Sequence, residues 1–223
     1  MPATFRMTLA QLNPTVGDFP GNSAKAKAAW EAGKAAGADM VMLPEMFITG
    51  YQVQDLVMKL AFTLDAMAHL DALGAECADG PVLAIGGPFI EGVALHNAYY
   101  IYDGGTRKAV MCKHELPNET VFDEVRLYEK GDISGPYAVG PIRIGSPICE
   151  DAWHEDVSEA MAESGAQLLA VPNGSPYDRN KFETRLNLMV ARVVETGLPL
   201  IYLNMVCGQD DQMFDGGSFV LNP

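Results

Sequence analysis

Three side chains able to do chemistry together stand at the ends of apolar runs. Glu45 follows Met40-Val41-Met42-Leu43-Pro44, Lys113 closes the run from Lys108, and Cys149 follows the run from Ile142 to Ile148. In α/β folds, strand ends open onto the crevice where ligands bind, so a carboxylate, an amine and a thiol placed there can converge on one substrate. A free thiol is mostly protonated at neutral pH and needs a base or a cation beside it to become a nucleophile. A positioned carboxylate can take that proton and later hand it to a leaving amine. An ammonium aimed at a carbonyl oxygen stabilises the oxyanion that develops on attack. The backbone N–H of Glu150 is a second oxyanion donor if Cys149 sits on a tight elbow. The chemistry this set predicts is cysteine-dependent cleavage of an amide.

Each residue alone has a plainer reading. A lone Cys at a strand end is often a small buried hydrophobe. A Glu after Pro is commonly a solvated loop residue, and a hairpin Lys commonly a surface charge. The four histidines sit in no companion motif for a Cys-His scheme, and His114 is read as structural or as orienting Lys113.

The elements that must deliver these groups follow from periodicity and punctuation. Strands are expected over Phe5 to Leu12, Asp39 to Leu43, Val82 to Gly86 (closed by Gly87 and Pro88), Pro141 to Ile148, Gln167 to Val171, Leu200 to Leu203 and Ser218 to Leu221. Leu95 to Tyr102 and Lys108 to Lys113 flank the turn Asp103-Gly104-Gly105-Thr106 and read as a hairpin. A helix capped by Asn22 should run through Trp30 to Gly37. Gln54 to Cys77 should be helical with a break near Thr63, and His154 to Ser164 and Lys181 to Thr196 should be helices. Strands alternating with helices, with hairpins mixed in, indicate an α/β layered fold with mixed sheets.

The chain has 223 residues, 48% of them hydrophobic, which suits a globular domain with a full core. Fifteen basic residues against 29 acidic ones give a net charge of −14. That surface repels phosphate backbones and anionic lipid, so neither nucleic acid nor membrane is expected as a partner. The start, MPATFRMTLAQLNP, lacks a signal-peptide pattern, and no apolar run is long enough to span a bilayer, so a cytoplasmic setting is expected. Cys77, Cys112, Cys149 and Cys207 lie far apart and require no disulfide. No CxxC or HxxxH pair occurs, so no metal is expected.

The words around the three residues resemble those of the nitrilase superfamily of carbon–nitrogen hydrolases. Leu43-Pro44-Glu45-Met46-Phe47 with Thr49-Gly50-Tyr51 is similar to its base motif, Lys113-His114-Glu115-Leu116-Pro117-Asn118 to its lysine motif, and Ile148-Cys149-Glu150-Asp151-Ala152-Trp153 to its nucleophile motif. Asn173-Gly174-Ser175-Pro176-Tyr177 with Lys181, the stretch from Tyr202 to Asp210 and Phe214-Asp215-Gly216-Gly217-Ser218-Phe219 resemble the glutaminase domains of glutamine-dependent NAD synthetases. Asn118 with Val121-Phe122-Asp123-Glu124 points the same way.

The resemblance implies a four-layer α-β-β-α sandwich of two mixed sheets. It implies Glu45 as base, Lys113 as oxyanion stabiliser, Cys149 as nucleophile and Glu124 as a second acidic residue near the lysine. It places Tyr51, Glu150, Trp153, Ser175 and Lys181 around a glutamine pocket. It implies no cofactor for this domain. ATP and Mg²⁺ belong to a synthetase domain that uses the ammonia, and a homo-oligomer is expected. No Ser-Gly-Gly-x-Asp-Ser pyrophosphate loop occurs, so residues 1–223 are expected to be one hydrolase domain cut short at its C-terminal end, without the synthetase domain. After Leu-Pro-Asn the family carries Tyr-Gly where this chain has Glu119-Thr120. A free-standing hydrolase acting on another small amide, similar to an omega-amidase, is the alternative.

Overall fold

In the computed structural model, which describes residues 4–223, the chain builds two five-stranded sheets. The first takes β1 (Met7–Leu9), β2 (Met40–Met42), β3 (Val82–Glu91), β4 (Ala94–Asp103) and β5 (Thr106–Cys112) side by side in that order. Strands β1, β2 and β3 run parallel, and β3, β4 and β5 form an antiparallel meander. The second sheet has β6 (Tyr137–Val139), β7 (Ile142–Gly145), β8 (Leu168–Asn173), β9 (Leu200–Asn204) and β12 (Phe219–Leu221). Its inner strands β7, β8 and β9 are parallel, with β6 and β12 antiparallel at the edges. A separate hairpin joins β10 (Val206–Gln209) to β11 (Gln212–Asp215).

Among the described residues there are five α-helices: α1 (Phe19–Ala35), α2 (Leu60–Glu76), the single turn α3 (Glu124–Leu127), α4 (Glu155–Glu163) and α5 (Lys181–Thr196). Successive strand residues point to opposite faces, and here both faces are covered. Met40 and Met42 meet Ile144, Leu168, Ala170 and Leu203 of the other sheet. Val41 between them packs outward with Trp30 and Leu70 of α1 and α2. In β8, Leu168 and Ala170 face the first sheet, while Leu169 and Val171 pack on Met161, Met189 and Val193 of α4 and α5. The layers are therefore α-β-β-α, as the resemblance implied. Double coverage explains why β2 and β8 read as unbroken apolar runs.

Several boundaries differ from expectation. Helix α1 starts one turn before Asn22: Asp18 caps it by accepting the Gly21 N–H at 3.0 Å, and Pro20 fits the first turn, where its missing N–H costs nothing. Asn22 is instead buried, its amide donating to Thr15 O at 2.8 Å and Ile48 O at 3.0 Å. The helical break falls at Lys59, between a 3-10 turn (Gln54–Met58) and α2, and Thr63 Oγ1 reaches back to Val57 O at 2.7 Å. Strand β3 does not stop at Gly86. It continues through Pro88 to Glu91, past the end of β2 at Met42, where the absent proline N–H deprives no neighbour. β1 is shorter than expected, and β6 and the β10–β11 hairpin were not foreseen. No helix among the described residues is long and apolar enough to cross a membrane.

Gly86 is fixed by proximity. A Cβ there would run into the backbone of Glu45 and Met46. Gly86→Ala is therefore expected to cost about 1–3 kcal/mol by overpacking, read by urea denaturation. Gly135→Ala, which adds its Cβ to open space, is the neutral control.

Candidate active site

Glu45 follows β2 and Pro44, Lys113 follows β5, and Cys149 follows β7 at the head of a 3-10 turn, Cys149–Trp153. The first two come from one sheet and the third from the other, so the site lies across the seam between the sheets. Lys113 and Glu45 are fully buried, and Glu124 and Cys149 are each 3% exposed. Lys113 Nζ lies 2.7 Å from Glu45 Oε1 and 2.8 Å from Glu124 Oε2. Glu124 begins α3, and its backbone N–H bonds Pro117 O at 3.1 Å.

The carboxylates are held from other sides as well. Asn97 Nδ2, on β4, donates to Glu45 Oε1 at 2.8 Å and to Glu124 Oε1 at 2.9 Å. The Tyr51 hydroxyl donates to Glu124 Oε1 at 2.8 Å. The Gly174 N–H, just after β8 in the second sheet, donates to Glu45 Oε2 at 2.7 Å. Oε1 of Glu45 thus has both lone pairs occupied, and Oε2 keeps one open for a proton.

Cys149 adopts φ +49°, a left-handed conformation uncommon for a residue with a side chain. It lies on a cavity of about 510 Å³ whose wall includes Glu119, Glu150, Trp153, Ser175 and Lys181. Four residues expected around a pocket therefore share one wall, while Tyr51 is buried behind the carboxylates with its hydroxyl engaged there. The Lys181 ammonium sits 5.6 Å from the Phe122 ring centroid and 5.9 Å from that of Trp153. Ser175 is fastened by Arg185, whose Nη2 donates to Ser175 O at 2.9 Å and whose Nε donates to Ser175 Oγ at 3.1 Å.

Sequence reasoning missed Asn97 and Arg185. An amide in the middle of the apolar run Leu95 to Tyr102, and an arginine one turn before Met189 on the buried side of α5, were signals available to it. His114, Glu115 and Asp156 approach one another closely enough to share a metal ion. Glu115 is already paired with Lys130 at 2.8 Å, and His114 Nδ1 faces Gly131 O at 2.7 Å.

The model of the carbon-nitrogen hydrolase family matches residues 6–223. This chain belongs to the carbon-nitrogen hydrolase family. It is 59% identical over 219 residues to the glutamine-dependent NAD(+) synthetase of Rhodobacter capsulatus, covering 98% of this chain and 40% of that protein. The structure of the glutamine-dependent NAD+ synthetase from Acinetobacter baumannii, in complex with ADP, matches it with a TM-score of 0.93 at 30% identity, over 98% of this chain and 41% of that one. An amidase from Nesterenkonia sp. has the same fold, with a TM-score of 0.87 at 24% identity, over 100% of this chain and 84% of that one. The chain spans about 40% of the length of the synthetases it matches.

In this carbon-nitrogen hydrolase the charges are strongly coupled. Burial alone would push Lys113 down, but the Glu124 and Glu45 carboxylates outweigh it and hold the ammonium well above its ordinary value. Burial raises Glu124, with Lys113 opposing and Glu45 reinforcing. Burial also lifts the Cys149 thiol well above its ordinary value; Glu45 adds to the rise and Lys113 opposes it. One ammonium between two carboxylates leaves no surplus positive charge to hold a thiolate. Both effects favour the protonated sulfur over the thiolate. Burial lowers Lys181, with Arg185 reinforcing the fall and Asp178 and Glu150 opposing it.

This hydrolase's Cys149 should therefore react slowly with a small thiol reagent at neutral pH in the absence of substrate. The alkylation rate, followed by mass spectrometry of the Cys149 peptide, should keep climbing past the ordinary thiol value of about 8.5. A plateau near pH 7 would show a preformed thiolate.

Proposed function

We propose that this chain hydrolyses the side-chain amide of glutamine and supplies the ammonia to a synthetase domain, which uses ATP and Mg²⁺ to amidate deamido-NAD. The observation that carries this reading is the Lys113 ammonium, held between Glu45 and Glu124 in the seam from which Cys149 enters the cavity. The names of the synthetases that match nearly the whole chain supply the choice of glutamine.

In this scheme the glutamine carboxylate meets Lys181, and Glu150 offers its carboxylate to the α-ammonium. Trp153 and Ser175 bound the side chain. Cys149 Sγ attacks the amide carbonyl carbon while its proton passes to Glu45 Oε2, the carboxylate oxygen with a free lone pair. The carbonyl π electrons move to oxygen. Lys113 has three donors, two of them facing carboxylates, so the third is available to that oxyanion. The Glu150 N–H is the second donor. The tetrahedral intermediate collapses, the C–N bond breaks, and Glu45 returns the proton to the departing ammonia. A thioester remains. Water attacks it with Glu45 again taking a proton, the C–S bond breaks, and glutamate leaves with the thiol restored. No step needs a metal, because Lys113 and backbone N–H groups supply the positive end.

Ammonia release from glutamine should survive EDTA and exceed release from asparagine and simple amides. Cys149→Ala should abolish turnover yet leave glutamine binding largely intact, measured by calorimetry. Glu45→Gln should lower kcat by about 10²–10⁴-fold. Turnover by Cys149→Ala, or preference for another small amide, would overturn the assignment. An electrophilic glutamine analogue should label Cys149, which lines the cavity, and none of Cys77, Cys112 and Cys207, which lie outside it.

A further inference from the structure

The mechanism above leaves one buried carboxylate beside the site unused. Asp151 is 3% exposed and spends both oxygens on backbone donors. Oδ2 accepts the Ile148 N–H at 2.9 Å. Oδ1 accepts the His114 N–H at 2.9 Å and the Glu115 N–H at 2.6 Å. The Asp151 N–H in turn bonds Ile148 O at 3.0 Å, closing a ring around Cys149.

The placement of these donors is the point. Ile148 directly precedes Cys149, and His114 and Glu115 directly follow Lys113. Those two segments leave different sheets, β7 in one and β5 in the other. One carboxylate therefore grips the loop of the thiol with one oxygen and the loop of the ammonium with the other. It also encloses the left-handed Cys149, a conformation that persists only where its surroundings over-determine it.

We propose that Asp151 is a positioning residue, whose carboxylate sets the distance between the Cys149 thiol and the Lys113 ammonium by clamping their two loops across the seam. This rests on the roles given to Cys149 and Lys113 above. Asparagine cannot replace it. One end of its amide is a donor and would face a backbone N–H, so at least one side of the clamp opens. A displacement of about 1 Å in such a pair costs on the order of 10²-fold in rate.

The test compares two thiol reagents on the full-length protein. Chloroacetamide alkylates Cys149 with formation of a C–S bond, loss of chloride and transfer of the thiol proton to Glu45. Its carbonyl is the amide-like group that Lys113 would orient. Methyl methanethiosulfonate forms a disulfide with loss of methanesulfinate and presents no such carbonyl. In Asp151→Asn the ratio of chloroacetamide to methanethiosulfonate rates should fall about tenfold or more, and kcat for ammonia release should fall with it while KM stays within about threefold. Equal changes with both reagents would mean a merely loosened loop and would overturn the proposal. If Asp151→Asn does not fold, Asp151→Glu keeps the buried charge but lengthens the arm. Its ratio should also fall, and an unchanged ratio overturns the proposal. Glutamine enters neither labelling reaction, so a failed glutaminase reading leaves this test intact.

Discussion

A lysine ammonium with no exposure to water governs the design of this molecule. Desolvating such an ion costs several kcal/mol unless opposite charge and hydrogen bonds replace the lost water. Glu45 and Glu124 provide the charge, which creates a second demand, because two buried carboxylates need donors of their own. Asn97, Tyr51 and Gly174 meet it. The outcome is a cluster in which most polar atoms around the ammonium are committed and the few left free can be enumerated. A Glu45 oxygen with one open lone pair and an ammonium with one uncommitted donor follow from that accounting.

The same cluster explains why the site sits where the two sheets meet. A single sheet could deliver a carboxylate and an amine from two of its strands, as β2 and β5 do here. It could not also wall them in. The second sheet brings the Gly174 amide, the Cys149 elbow and the Ser175 turn, and it buries all of them against the first. The sheet-to-sheet core of Met40, Met42, Ala84, Ile144, Leu168 and Ala170 is thus also the platform of the site. Packing at organic-crystal density allows little sliding between the layers, which is what a constellation assembled from both of them requires.

Much of this was legible in the sequence, for identifiable reasons. Strands buried on both faces leave unbroken apolar runs, so β2 and β8 stood out, and reactive residues at the ends of such runs invited a chemical reading. Motif words then singled out Glu45, Lys113 and Cys149. What escaped was of another kind. Asn97 matters because its amide lies between two carboxylates distant in sequence, and no local pattern reports that. Asp151 acts on backbone N–H groups, which are the same at every position except proline. Asn22 resembled a helix cap because caps and buried loop ties use the same side chain, and only tertiary contact separates them. Pro88 looked like a terminator because the end of β2 before it, which leaves that side of β3 unpaired, could not be read from the sequence.

The bond from the Gly174 amide to Glu45 spans 129 positions. That separation imposes a chronology. A growing chain that has passed Lys113 already holds carboxylate and amine, but not the Cys149 thiol. One that has passed Cys149 holds all three, yet still lacks the strand whose end holds Glu45. Contacts so distant in sequence form late, after loop-closure entropy has been overcome. Until the β8 turn docks, Glu45 lacks the Gly174 N–H that holds its Oε2. The chain must therefore be made well past Cys149 before the seam between the sheets can close around Glu45.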